Sequence, residues 1–110
     1  MKKIEAIIRP TRAGRVCAAL ERVGHACPRI SQVEEKGMEG TRYLLRGATY
    51  KVDYAAKSKI ELIAEDAEAG VIVDAIREAA FSGDPGDGEI VIYPMNDAVR
   101  IRSGAGKTAV

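Results

Sequence analysis

Aromatic residues and cysteines are scarce in this chain of 110 residues, and neither sign of charge dominates it. There is no tryptophan and only one phenylalanine, so an apolar core has to be built from isoleucine, valine, leucine and alanine. The net charge of +1 argues against a nucleic-acid-binding protein that relies on an overall basic field. Neither an apolar run of the ~20 residues that span a bilayer nor a signal-peptide core is present. We expect a single cytoplasmic domain over residues 1–110.

The two cysteines, Cys17 and Cys27, are expected to be reduced thiols in the cytoplasm. Cys27 follows the only histidine, His25, and soft ligands so close together suit copper or zinc. Two or three ligands fall short of a closed zinc site, however, and Cys17 lies among apolar helix positions. A metal site at His25 and Cys27, with Met38 as the third candidate ligand, is therefore the alternative, and no metal is predicted. The histidine also lacks a nucleophile or acid partner, so the chain is not predicted to be an enzyme.

Hydrophobic periodicity predicts a short α+β domain. Apolar residues typical of strands occur in four segments, residues 2–8, 28–35, 58–64 and 89–92. Helical spacing predicts one helix that opens at Pro10 and ends at Gly24, and a second over residues 67–81. The order β-α-β-loop-β-α-β is that of a ferredoxin-like βαββαβ fold. Strands that are apolar on both faces need a second covering layer, which predicts a homo-oligomer.

Residues 36–55 form a polar stretch with no clean period between the second and third predicted strands. A loop of this length inside a compact domain is uncommon and usually functional. The alternative is a plain hairpin extension. At the other end of the chain, residues 105–110 are predicted to be a small polar tail.

A glycine turn and an alternating arginine pair are the most informative features of the chain. Residues 86–88 read Gly-Asp-Gly, and Arg100 and Arg102 follow some residues later. In an extended segment these arginines point the same way, while Val99 and Ile101 face apolar packing. Backbone N–H groups freed by glycine, together with two guanidiniums, describe a phosphate-binding cleft. The alternative is a hairpin turn followed by a half-exposed strand with solvated arginines.

Five stretches of the chain resemble the PII signal-transduction family, in the family's order and at nearly its spacing. They are residues 1–10, 46–54, 57–62, 86–88 and 99–104. The resemblance implies a homotrimer whose sheets pack around a central axis. It also implies that residues 36–55 are the T-loop, a mobile arm that docks into a partner such as a membrane transporter or a metabolic enzyme. The implied role is signalling in nitrogen regulation.

The resemblance further implies an adenine-nucleotide site between neighbouring subunits. The residues that match the family's site are Ile7, Lys57, Glu61, Gly86, Asp87, Gly88, Arg100 and Arg102. Ile7 would line the base pocket, Lys57 would lie near the phosphates, and the two arginines would reach the phosphates from the adjacent subunit. Glu61 would reach the base or a neighbouring chain.

Part of the T-loop also matches the family. The residues concerned are Arg46, Gly47 and Tyr50. Tyr50 stands where some bacterial members of the family carry a uridylylated tyrosine. An unmodified loop tyrosine is the alternative.

Three departures from the family pattern bear on the ligand. Glu89 stands where the family usually has a lysine, and Arg29 replaces a small hydroxyl residue that meets the adenine. Met38 or Glu39 falls where a glutamine ligates the Mg²⁺ that bridges ATP and 2-oxoglutarate. The charge balance favours ADP or AMP over ATP, and disfavours 2-oxoglutarate with Mg²⁺. The alternatives are a metal- or bicarbonate-responsive PII-like protein and a trimeric scaffold without a small ligand.

Overall fold

The computed structural model describes residues 1–26, 29–36, 42–45, 48–51 and 54–106. They form an α+β domain with a four-stranded antiparallel sheet and two helices. The elements in chain order are β1 (Lys2–Ile8), a 3₁₀ turn (Pro10–Arg12), α1 (Ala13–Arg22), β2 (Arg29–Lys36), β3 (Arg42–Leu45), β4 (Ala48–Lys51), β5 (Tyr54–Ala64), α2 (Asp66–Ala80) and β6 (Gly88–Pro94). The sheet order β2-β5-β1-β6 confirms the predicted ferredoxin-like arrangement.

The apolar core lies between the two helices and one face of the sheet. Its members are Ile4, Ala6 and Ile8 from β1, Ile60, Leu62 and Ala64 from β5, Val16 and Leu20 from α1, and Ile72, Ile76 and Ala80 from α2. The apolar spacing in both helices is therefore the spacing of the buried stripe, as predicted. Helix α1 ends shortly before Gly24, whose φ of +87° reverses the chain at the predicted position. No helix in the described ranges is long and apolar enough to cross a membrane.

The opposite face of the sheet, which the helices leave open, is mixed rather than apolar. It carries Ile7, Ile63 and Val91, but charged side chains occupy its middle, among them Lys3 and Glu61. The expectation that the strands are apolar on both faces is therefore wrong in this part of the sheet. The cause is strict alternation, which turns the charged residues of β1 and β5 away from the core.

The stretch 36–55 is more regular than its sequence suggested. Strands β3 and β4 pair antiparallel within it, from Arg42 opposite Lys51 to Leu45 opposite Ala48. The expectation of a stretch without regular structure is wrong for these residues. Tyrosine, leucine and threonine favour strands, but two runs of four residues are too short to show a period.

The segment around the arginine pair is a tight turn and not the extended strand that was predicted. The backbone N–H of Arg100 donates to the carbonyl of Ala105 at 2.9 Å, and the N–H of Gly104 donates to the carbonyl of Arg100 at 2.8 Å. Val99 forms a bridge with Gly106, so the predicted tail at residues 105–110 begins inside this hairpin. Gly104 has a φ of +70°, which allows the reversal.

The predicted apolar packing of this segment is also wrong in the single chain. Val99 is 63% exposed and Ile101 is fully exposed. A turn cannot keep both of these side chains on one face, because the alternation of a strand is lost where the chain reverses.

Candidate functional site

The glycine corner (residues 86–88) lies at the start of β6 and is held together by one carboxylate. Asp87 accepts hydrogen bonds from the Ser82 hydroxyl, from the backbone N–H groups of Ser82 at 2.9 Å and Gly83 at 3.0 Å, and from Arg9 Nε at 3.2 Å. These donors, with the Ser82 hydroxyl first, hold the pKa of Asp87 far below its ordinary value. The resemblance implies that Asp87 belongs to the nucleotide site, and the structure shows its carboxylate bound by its own loop and by Arg9.

Two cationic side chains donate hydrogen bonds to backbone carbonyls at the glycine corner. Arg9 Nη2 donates to the carbonyl of Pro85 at 2.5 Å, and Lys57 Nζ donates to the carbonyl of Gly86 at 2.7 Å. Both carbonyl groups are therefore turned towards cations. Lys57 reaches the corner from β5, and its place near the phosphates stays a prediction.

An ion-pair cluster occupies the middle of the open sheet face. Lys3 Nζ lies 3.0 Å from Glu5 and 3.4 Å from Glu61, and Lys59 Nζ lies 3.3 Å from Glu61. Hydrogen bonds to Glu5 and Glu61 raise the pKa of Lys3. Desolvation raises the pKa of Glu61, but Lys59 and Lys3 outweigh it, so this pKa lies below its ordinary value. Glu61 therefore stays charged at neutral pH.

An open groove of about 960 Å³ lies at the far end of this face, where β5 ends. Arg100 and Arg102 line it from the C-terminal hairpin, together with Glu61 and Arg29 from the sheet. Arg29 Nη1 lies 3.8 Å from Glu61 Oε2. The predicted arginines and Glu61 thus meet in one groove, whose lining combines cations with carboxylates, Glu65 and Glu68 included.

The two parts of the predicted site lie at opposite ends of the sheet. Ile7 and Lys57 lie beside the glycine corner, where β6 begins, while the arginine groove follows the end of β6. The seven residues of β6 span ~20 Å in extended conformation. A single chain therefore does not bring the arginines to the glycine corner. The prediction that they converge from neighbouring subunits stays a prediction.

The sequence did not single out two residues that build the corner. Arg9 follows β1, and Ser82 follows α2, but the separation of Arg9 from Asp87 by 78 positions hides their contact. The one available signal was the presence of Arg9 in a stretch that resembles the PII family.

The remaining candidate residues are placed only in part. Arg46, Gly47 and Cys27 lie outside the described residues, and Tyr50 lies on β4 opposite Tyr43. His25 contacts the carboxylate of Glu68 through Nε2, so the expectation that this histidine lacks an acid partner is wrong. Within the described ranges, no group of three or more histidine, cysteine, aspartate or glutamate residues could hold a metal ion.

The carboxylate of Asp87 should make the stability of the fold depend on pH. Its pKa is lower in the folded chain than the ordinary value of 3.8, so its contribution is complete above that value and is lost as the pH falls. We expect the free energy of unfolding to decrease below about pH 4, and Asp87→Asn to lower it at pH 7 while flattening this dependence. Urea unfolding between pH 2 and 7 measures both.

Asp74→Asn is the matched control for this measurement, because Asp74 is exposed on α2. An Asp87→Asn chain with the parent's stability and acid profile would show that the corner does not depend on this carboxylate.

Comparisons with known proteins bear on the whole chain. The family model described as "Nitrogen regulatory protein P-II" matches residues 1–105. The chain is 45% identical over 107 residues to the nitrogen regulatory protein P-II of Rhodospirillum rubrum, with 94% of each chain covered. It is 39% identical over 112 residues to the nitrogen regulatory protein P-II 2 of Methanothermobacter thermautotrophicus, covering 100% of this chain and 97% of that one.

A solved structure is similar to the fold as well. The crystal structure of Arabidopsis thaliana PII bound to citrate superposes with a TM-score of 0.72 at 27% sequence identity. The match covers 96% of this chain and 84% of that chain. The similarity therefore extends over most of the chain.

Proposed function

The chain belongs to the nitrogen regulatory protein P-II family of signalling proteins, and we propose that it binds an adenine nucleotide between the subunits of a homotrimer. ADP or AMP is the favoured ligand, and ATP is a weaker one. The protein acts as a cytoplasmic regulator and not as an enzyme. Its partner is a membrane transporter or a metabolic enzyme that docks on residues 36–55.

The observation that carries this proposal is the separation of the two parts of the site. One end of the sheet offers the glycine corner with Lys57, and the other end offers Arg100 and Arg102. A contact between unlike ends of two copies is heterologous, and such contacts form a ring when the rotation between copies closes. In a ring of three, each glycine corner meets the arginine groove of the next copy, and a phosphate chain between them receives two guanidiniums.

The link from the site to the partner runs through β5. Lys57 lies on this strand and holds the carbonyl of Gly86. The ladder between β2 and β5 extends from Lys57 to the pair of Lys36 and Tyr54, at the base of the T-loop segment. A phosphate that competes for Lys57 therefore acts on the strand that leads into this segment. The partner selects the arrangement that nucleotide favours, which is a shift of population.

Calorimetric titration of the protein with AMP, ADP and ATP tests the proposal, with sedimentation in parallel. We expect one ADP or AMP to bind per chain, to a protein that sediments as a trimer. Titrations with 2-oxoglutarate plus Mg²⁺, and with bicarbonate, ask whether a second metabolite changes the affinity. A trimer that binds no nucleotide would favour the scaffold alternative, and binding of copper or zinc alone would favour the metal-responsive one.

A further inference from the structure

The carboxylate of Glu89, next to the glycine corner, differs in its contacts from the charged groups around it. Glu89 directly follows the corner on β6 and is exposed. It pairs across the sheet with Ile7, which in turn pairs with Lys59 on β5. Cross-strand partners share a face, so these three side chains form a row on the open face, next to the corner.

The cations near the corner already have partners. Arg9 Nε donates to Asp87 at 3.2 Å, and Lys57 Nζ donates to the carbonyl of Gly86 at 2.7 Å. Lys59 Nζ lies 3.3 Å from a carboxylate oxygen on its own strand. A phosphate that uses any of these cations has to displace an existing contact.

Glu89 makes no such contact within the described part of the chain. None of the ion pairs or side-chain hydrogen bonds found there includes its carboxylate. Glu89 follows Asp87 by two positions, on the other side of Gly88, so a second carboxylate adjoins the corner. Glu89 is therefore an uncompensated carboxylate beside the corner, next to Lys57, whose partner is a neutral carbonyl.

We propose that Glu89 sets the length of the phosphate chain that the nucleotide site accepts. It repels a triphosphate more than a diphosphate, and leaves a monophosphate almost unaffected, because each added phosphate brings more negative charge near the corner. This inference rests on the proposed nucleotide function. The carboxylate is partly screened by water, so we expect an effect of about tenfold on the affinity for ATP.

The test compares the parent protein with Glu89→Gln, which removes the charge and keeps the size. Calorimetric titrations with AMP, ADP and ATP are carried out in EDTA, so that no divalent cation shields the phosphates. We expect the affinity for ATP to rise about tenfold in Glu89→Gln, that for ADP to rise less, and that for AMP to stay within about twofold. Glu89→Lys should favour ATP further. Glu21→Gln, at an exposed position of α1, is the matched control and should change none of the affinities.

Three outcomes overturn the proposal. If the ratio of the ATP and ADP affinities is the same in the parent and in Glu89→Gln, this carboxylate does not set the chain length, although nucleotide binding itself stands. If Mg²⁺ tightens ATP in the parent but not in Glu89→Gln, the carboxylate holds a cation and attracts the triphosphate. If no nucleotide binds to any of the proteins, the proposed function fails, and this inference fails with it.

Discussion

Replacing both Arg100 and Arg102 by alanine should lower the affinity for ADP by at least about 100-fold, the loss expected when two charge-assisted contacts to phosphate are removed. The hairpin that carries them is held by backbone hydrogen bonds, from the N–H of Arg100 to Ala105 and from the N–H of Gly104 to Arg100. Alanine keeps these bonds. The double substitution therefore removes two guanidiniums from the groove without removing the turn, and the trimer should persist.

Calorimetry with ADP measures the loss, and sedimentation reports the assembly. Arg15→Ala combined with Arg22→Ala is the matched control, because it removes two exposed arginines from α1. This control should bind ADP as the parent does. A double variant at positions 100 and 102 that binds ADP within about threefold of the parent would remove the arginines from the nucleotide site.

The sequence predicts the central elements of the fold well, because long amphipathic segments have an unambiguous period. The first strand is found at the predicted residues, and α2 is displaced from its predicted range by one residue. The apolar residues of α2 that recur at helical spacing include Ile72 and Ile76, which are buried. Burial of one stripe against the sheet fixes the helix, and this information is local in the chain.

The segment around Arg100 could not be predicted in the same way. Apolar and charged residues alternate from Val99 to Arg102, which imitates a half-exposed strand. The backbone bond between Arg100 and Ala105 decides the outcome instead, together with the positive φ of Gly104. A short turn and a short strand differ by few contacts, so the pattern of four residues does not separate them.

The glycine corner shows a different limit. The glycines mark a turn in the sequence, but the partners that fix the turn come from distant parts of the chain. Arg9, Lys57 and Ser82 reach the corner from the end of β1, from β5 and from the residues after α2. Only the folded sheet brings them together. The resemblance assigned Asp87 to the nucleotide site alone, whereas its four hydrogen bonds give it a structural role as well.

Gly88→Ala should be the most destabilising glycine substitution in the described part of the chain. The φ of Gly88 is +103°, and a Cβ there would lie 1.8 Å from the carbonyl oxygen of Ile7. Relief requires β6 to move away from β1 at the end where Ile8 pairs with Gly88. We expect a loss of about 3 kcal/mol or more in the free energy of unfolding, from strain and overlap together.

Substitutions at two other glycines distinguish backbone strain from steric overlap as causes of the lower stability. Gly24 has a φ of +87° but open space around it, so Gly24→Ala should show the backbone strain alone, about 1–2 kcal/mol. Gly70 lies in α2, and a Cβ added there would meet no atom within 4 Å. Gly70→Ala should therefore raise the free energy of unfolding by about 0.5–1 kcal/mol. Urea unfolding at one protein concentration compares the three, because the stability of an oligomer depends on concentration.

Gly88→Ala should also affect nucleotide binding at the glycine corner. The close approach of Gly88 to Ile7 is what places the backbone of the corner beside the row of Ile7 and Glu89. If β6 moves outward to admit a Cβ, the corner moves with it, and the nucleotide should be lost along with the stability. A Gly88→Ala chain that is no less stable than Gly24→Ala would mean that β1 and β6 do not approach so closely. The corner would then lack the fixed position that a phosphate site between two copies requires.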